Sequence, residues 1–140
     1  MKETVGRSIG MLSNLIRRHF STFTFHDILS PAQGKTLHFI LARSMDTDVF
    51  QKDVEEEYSL RPPTATKILK DMEKKGLIRR ETVPYDARLK RIVVTEKGMQ
   101  YQDLICKSLE DTEKRLTNGV SEEDLAVFFR VIRQMIRNMS

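Results

Sequence analysis

Apolar residues recur in steps of three and four along the first part of the chain. Val5, Ile9, Leu12, Leu15, Ile16, Phe20 and Phe23 trace one face of an amphipathic helix over residues 4–23. The period breaks between Phe25 and Ser30. Ser30-Pro31 then carries a helix-start signature, with a serine cap and proline in the first helical position. Leu37, Ile40 and Leu41 give the resulting helix, 31–44, its inward face. A polar break at 45–48 precedes a short helix over 49–57, anchored by Val54 and Tyr58, and Ser59-Leu60 forms a turn.

The next helix begins at Arg61-Pro62-Pro63. Proline disfavours helical geometry in the residue before it, which makes Arg61 the cap. Pro62 and Pro63 fall in the first turn, where N–H groups have no intrahelical partner. Ala65, Ile68, Leu69 and Met72 form the buried stripe, and the helix runs to Lys75, where Gly76 stops it. Beyond Gly76 the period changes from helical to alternating. Residues 77–83 and 91–95 read as the two strands of a hairpin, with 84–88 as its turn. From Thr95 to Leu116 the pattern predicts one long helix, stopped by Asn118-Gly119. Ser121 caps a last helix, in which Leu125, Phe128, Phe129, Ile132, Met135, Ile136 and Met139 make a wide apolar stripe.

The predicted fold is therefore mainly α: a winged helix-turn-helix core with a short β-hairpin wing, flanked by helices at either end. One domain over 1–140 is expected. Residues 30–98 would form the winged lobe, and 1–25 with 99–140 a helical dimerisation region. The 140 residues are 39% hydrophobic, lean for a large monomeric core, so part of the apolar surface is expected to lie between subunits.

The formal net charge is +4, from 24 basic and 20 acidic residues, and its placement says more than its size. From Arg79 to Arg91 five cations (Arg79, Arg80, Arg88, Lys90 and Arg91) stand against Glu81 and Asp86. Arg88 at the hairpin tip suits a narrow minor groove, whose negative potential attracts a guanidinium. Asp86 is placed to hold Arg88 or to cap the turn. In a winged helix-turn-helix the second helix enters the major groove. Here that helix offers Arg61, Pro63, Thr64, Thr66, Lys67 and Lys70. The donors of all but Pro63 can meet phosphates or base edges, and the Thr64 methyl can meet thymine. With Arg88 and Lys90 these residues are the candidate DNA-binding set, and Asp86 is the wing support. Asp53, Glu55, Glu56 and Glu57 on the preceding helix would repel phosphate, and are expected to point away from a duplex.

Residues 60–76, LRPPTATKILKDMEKKG, followed by Leu77-Ile78-Arg79-Arg80 and by 86–98, DARLKRIVVTEKG, resemble the MarR family of multiple-antibiotic-resistance regulators. The number and order of the flanking helices agree, so the resemblance spans nearly the whole chain. It implies a homodimer with interleaved terminal helices, holding two winged lobes on a palindromic operator in double-stranded DNA. Many members of the family are repressors that a small ligand releases, so a small-molecule effector joins DNA and a second copy as an expected partner. One departure stands out. The family usually places small hydroxyl residues where this chain has Arg61-Pro62-Pro63, and prolines cannot donate backbone hydrogen bonds to a phosphate.

Other chemistries find little support. The single cysteine, Cys106, makes neither a disulfide nor a zinc site. It reads as a packing residue in a reducing compartment, and a cytoplasmic location is expected. His19, His26 and His38 form no metal-ligand spacing. No cofactor, phosphate-loop or nucleophile motif is present, no enzyme is expected, and no apolar run approaches the about 20 residues of a membrane span. Gly6 and Gly10 permit close helix approach. The competing reading is a winged-helix module that acts through protein contacts, without specific DNA binding.

Overall fold

The computed structural model describes residues 2–23, 25 and 27–140; His26 lies outside them. The element order is α1 (Val5–Phe20), α2 (Pro31–Ser44), α3 (Gln51–Tyr58), α4 (Pro62–Lys74), β1 (Ile78–Val83), β2 (Asp86–Val94), α5 (Glu96–Met99), α6 (Gln102–Thr117) and α7 (Glu122–Met139). The chain forms two compact units, residues 1–108 and 109–140. The described part is mainly helical, with one antiparallel two-stranded hairpin.

The core of the first unit joins every element of the helix-turn-helix. Leu37 and Ile40 of α2, Val54 of α3, Ala65, Leu69 and Met72 of α4, Leu77, and Ile78 and Ile92 of the hairpin are all buried. Each large aliphatic side chain buried here contributes roughly 1.5–3 kcal/mol relative to its exposed state. Phe20 packs edge-on against Phe25 and closes this core from the end of α1. Gly34 of α2 makes room for it: a Cβ there would stand 2.8 Å from Phe20 Cζ.

The caps follow the local sequence. Ser30 Oγ accepts from the Gln33 amide and Gln33 Oε1 accepts from the Ser30 amide, both at 3.2 Å, a reciprocal box that starts α2. Asp53 Oδ2 accepts from the Phe50 amide at 2.9 Å and starts α3. Ser59 ends α3 in the left-handed region at φ 52°, and Gly76 takes φ 78° beyond α4, where a glycine carries no Cβ penalty. Ser121 Oγ accepts from the Asp124 amide and starts α7.

Three expectations need correction. The first helix ends at Phe20 and not at Phe23, because Ser21 and Thr22 turn their hydroxyls onto the carbonyls of Arg18 and His19. Phe23 keeps the apolar period only because it stacks on Phe25 after the chain has turned. The return strand begins at Asp86 rather than Arg91, after a two-residue turn at Pro84-Tyr85. The pairing jumps from Thr82↔Lys90 to Val83↔Asp86, so Ala87, Arg88 and Leu89 bulge out between the two registers. The single long helix expected from Thr95 to Leu116 is two helices. At the break the Tyr101 amide reaches back three residues to Gly98 O, a tightened turn that interrupts the ladder next to a buried glycine. Among the described residues no helix is long and apolar enough to cross a membrane.

Candidate nucleic-acid interface

α4 is held at both ends and along its middle. Its apolar stripe sits in the core. At its start, Gln51 Nε2 of α3 donates to Thr66 Oγ1 at 2.9 Å, to Glu55 Oε2 at 3.1 Å and to Pro62 O at 3.4 Å, fixing the crossing of the two helices. At its end, Lys75 Nζ donates to Ile28 O at 2.7 Å and Gln33 Oε1 at 2.9 Å, and pairs with Asp71 at 3.2 Å. Gln33 Nε2 completes the ring by donating to Asp71 Oδ2. Lys97 Nζ and Thr95 Oγ1 donate to the carbonyls of Lys75 and Gly76, the last of which α4 leaves open. Arg61, Pro62, Pro63, Thr64, Lys67 and Lys70 remain exposed on the outer face. Thr66 is half-buried, and its oxygen is engaged by Gln51.

In the wing, Asp86 does both things expected of it. Its Oδ1 accepts from the Arg88 amide at 2.9 Å, and its two oxygens lie 3.3 and 3.4 Å from Arg88 Nε and Nη2. The Arg88 side chain is nevertheless 91% exposed. It is aimed by Asp86 and free to meet a partner. Lys90 beside it is also exposed.

Two other wing cations are used internally. Arg79 and Arg91 share Glu81, at 3.0 and 3.2 Å, and Arg91 reaches Asp48 at 3.5 Å. Asp48 also accepts from the Tyr85 hydroxyl at 3.3 Å, which ties the wing turn to the loop before α3. Of the five wing cations Arg79 and Arg91 are thus paired, Arg80 is half-buried with Nε and Nη2 turned away from solvent, and Arg88 and Lys90 project at the tip. Three of the four acids of α3 are engaged as well: Asp53 caps its helix and pairs with Arg43, Glu55 holds Gln51, and Glu56 pairs with Lys52, while Glu57 is exposed.

Three carboxylates of this lobe are held below the ordinary range. Asp71 is lowered by its hydrogen bond from Gln33 and then by Lys75, Glu81 by Arg91 and then Arg79, and Asp86 by the Arg88 amide and then its side chain. A lowered folded pKa means that the unfolded chain binds more protons on acidification, so this stabilisation is present at neutral pH and is lost as pH falls through the folded values. Urea midpoints should be flat from pH 7 to 5 and fall below about pH 4, the ordinary carboxylate range. A midpoint that holds or rises between pH 5 and 3 would contradict these pairings.

Sequence reasoning missed Gln51, Asp48 and the ring of Gln33, Asp71 and Lys75. The S-x-x-Q spacing at Ser30 to Gln33 is a readable capping signal. The Gln51–Thr66 and Asp48–Arg91 contacts join residues far apart in the chain and leave no local trace. His38 Nδ1 and Cys106 Sγ, read separately in the sequence, stand 3.5 Å apart. No cluster of metal-ligating groups occurs among the described residues.

A helix-turn-helix with a braced second helix and a hairpin carrying an aimed arginine defines the class of winged helix-turn-helix proteins. A sequence model of the MarR family matches residues 29–89. Among solved structures, the transcription regulator MarR from Oenococcus oeni superposes with a TM-score of 0.83 at 26% identity, over 96% of this chain and 99% of that one. The S. aureus MepR–DNA complex gives 0.88 at 22% identity, over 98% and 97%. The transcriptional regulator SlyA gives 0.85 at 22%, over 98% and 94%. Residues 29–89 thus match the MarR-family model, and the fold is that of the solved MarR-type structures it superposes on.

Proposed function

We propose that the chain is a homodimeric, sequence-specific DNA-binding transcription regulator, acting as a repressor that a small ligand releases. The observation that carries this reading is the wing. Asp86 fixes the backbone and guanidinium of an arginine that stays almost wholly in solvent, an arrangement that does little for the fold and is suited to an external anion. The braced α4, with Arg61, Thr64, Lys67 and Lys70 outward, supplies the groove-reading element beside it. The likeness to a MarR-type protein bound to DNA supports the same reading.

The dimer rests on apolar surface that a lone chain leaves in water. Val5, Ile9, Leu12 and Leu15 of α1 are 43–54% exposed. In the second unit, Phe128, Phe129 and Ile136 of α7 are exposed as well. Contiguous apolar patches of this kind mark interaction sites. We assign residues 1–25 and 99–140 to dimerisation and 30–98 to DNA.

Gly10 tests the role of α1. A Cβ there meets nothing within 4 Å in the single chain, so alanine should favour the isolated helix by about 1 kcal/mol. At a close helix–helix contact it should instead loosen the dimer. Sedimentation of Gly10→Ala is expected to show weaker association than the parent; equal or tighter association would remove α1's glycines from the interface.

The function is tested by selecting duplexes from random or genomic fragments with the purified chain at near-physiological salt. The expected product is a two-fold symmetric site with half-sites about one helical turn apart. Unselective recovery would move the chain to the protein-contact reading.

A further inference from the structure

The leading edge of α4 is chemically unusual for a helix aimed at DNA. Pro62 and Pro63 have no N–H to offer. The next two amides, of Thr64 and Ala65, both donate to Arg61 O, at 3.0 and 3.1 Å. The start of this helix therefore lacks the free donors with which helix N-termini cradle phosphate. Thr66, one residue further on, is half-buried with its oxygen engaged by Gln51. What the edge presents is mostly carbon: two exposed pyrrolidine rings and, beside its hydroxyl, the methyl of exposed Thr64.

We propose that this edge reads a thymine in each half-site through its C5-methyl group, an inference that rests on the DNA-binding reading above. The major groove displays donors, acceptors and one apolar group, the thymine methyl. Proline rings pressed on guanine, adenine or cytosine would strip water from polar base atoms and return no hydrogen bond, which is costly. Against thymine they cover a methyl instead. The flanking cations keep the edge on the duplex. Arg61 precedes it, and Lys67 lies four residues after Pro63 and three after Thr64, on the same helix face. Lys67 is then the donor for a neighbouring acceptor-rich base, and Pro63 with Thr64 sets the thymine.

The test replaces each thymine of the selected duplex in turn by deoxyuridine, which removes the methyl and leaves base pairing intact. The full-length chain is titrated against each duplex at one salt concentration. One thymine per half-site should stand out. Losing one buried methyl is expected to weaken binding about fourfold, and losing it in both half-sites about fifteenfold. In Pro63→Ser, which returns a backbone donor and removes the ring, the penalty at that position should drop below about twofold, while the parent's penalty persists. Selected duplexes that tolerate deoxyuridine at every position, or whose penalty is the same in Pro63→Ser, would overturn this inference and leave the regulator reading standing. Failure to select any site would overturn both.

Discussion

Arg88→Ala should weaken binding to the selected DNA site by at least about 30-fold without changing the stability of the protein. An arginine contact of this kind is worth roughly 1–3 kcal/mol, and a symmetric dimer loses it twice. With 1.4 kcal/mol per factor of ten, even the lower end of that range gives this loss. Each wing also neutralises about one phosphate, so the slope of log affinity against log salt should shrink by about two. The thermal midpoint should barely move, because the side chain is 91% exposed and its pairing with Asp86 lies at the surface. Asp86→Ala provides the internal comparison. It removes the aim and leaves the charge, so it should weaken binding less than Arg88→Ala and leave the salt slope nearly intact. Salt titrations monitored by fluorescence anisotropy read both quantities. Unchanged affinity in Arg88→Ala would remove the wing from the interface.

The second large effect concerns the joint between the wing and α5. Gly98 is buried where a Cβ would stand 2.3 Å from Leu77 O and 2.7 Å from Val94 Cγ1. The nearer neighbour is backbone, and that carbonyl already accepts from the Thr95 amide at 3.1 Å. It cannot rotate away as a flexible side chain can. Gly98→Ala must push the start of α5 off the base of the hairpin, loosening a hydrogen bond and the packing of fully buried Leu77. Overpacking of this severity should cost about 3 kcal/mol or more. For a chain of this size that lowers the thermal midpoint by about 10 °C. A midpoint within 2 °C of the parent would mean that the joint yields more easily than its geometry indicates. Gly34→Ala should cost less, because its conflict is with the ring of Phe20, a side chain.

Much of this architecture was legible because the sequence repeats its instructions at several levels. Ser30-Pro31, Arg61-Pro62-Pro63 and Gly76 mark ends that the structure reproduces, and Ala65, Leu69 and Met72 fall on the buried stripe that their spacing predicts. The outward position of Arg61, Pro63, Thr64, Lys67, Lys70, Arg88 and Lys90 was also readable, since they fall off the apolar stripe of α4 or near the hairpin tip. Illegible were features decided by tertiary contact. Thr66 was assigned outward, and only the fold shows Gln51 reaching across from α3 to take it. Arg88 and Lys90 stood out from the five wing cations by their place near the tip, but only the fold shows Glu81 and Asp48 engaging Arg79 and Arg91. The break at Gln100-Tyr101 lacks a proline to announce it. It arises where Gly98 must pass close to the hairpin, and no local pattern encodes that approach.

Specific recognition of DNA by a dimer can be measured in a competition titration. The full-length chain is bound to its selected duplex at near-physiological salt and displaced with a scrambled duplex of the same length and composition. The selected duplex is expected to bind at least about a thousandfold more tightly, the lower end of the range for site-specific proteins. Equal displacement by both duplexes would contradict that expectation, leaving a winged fold that meets DNA only through its charge.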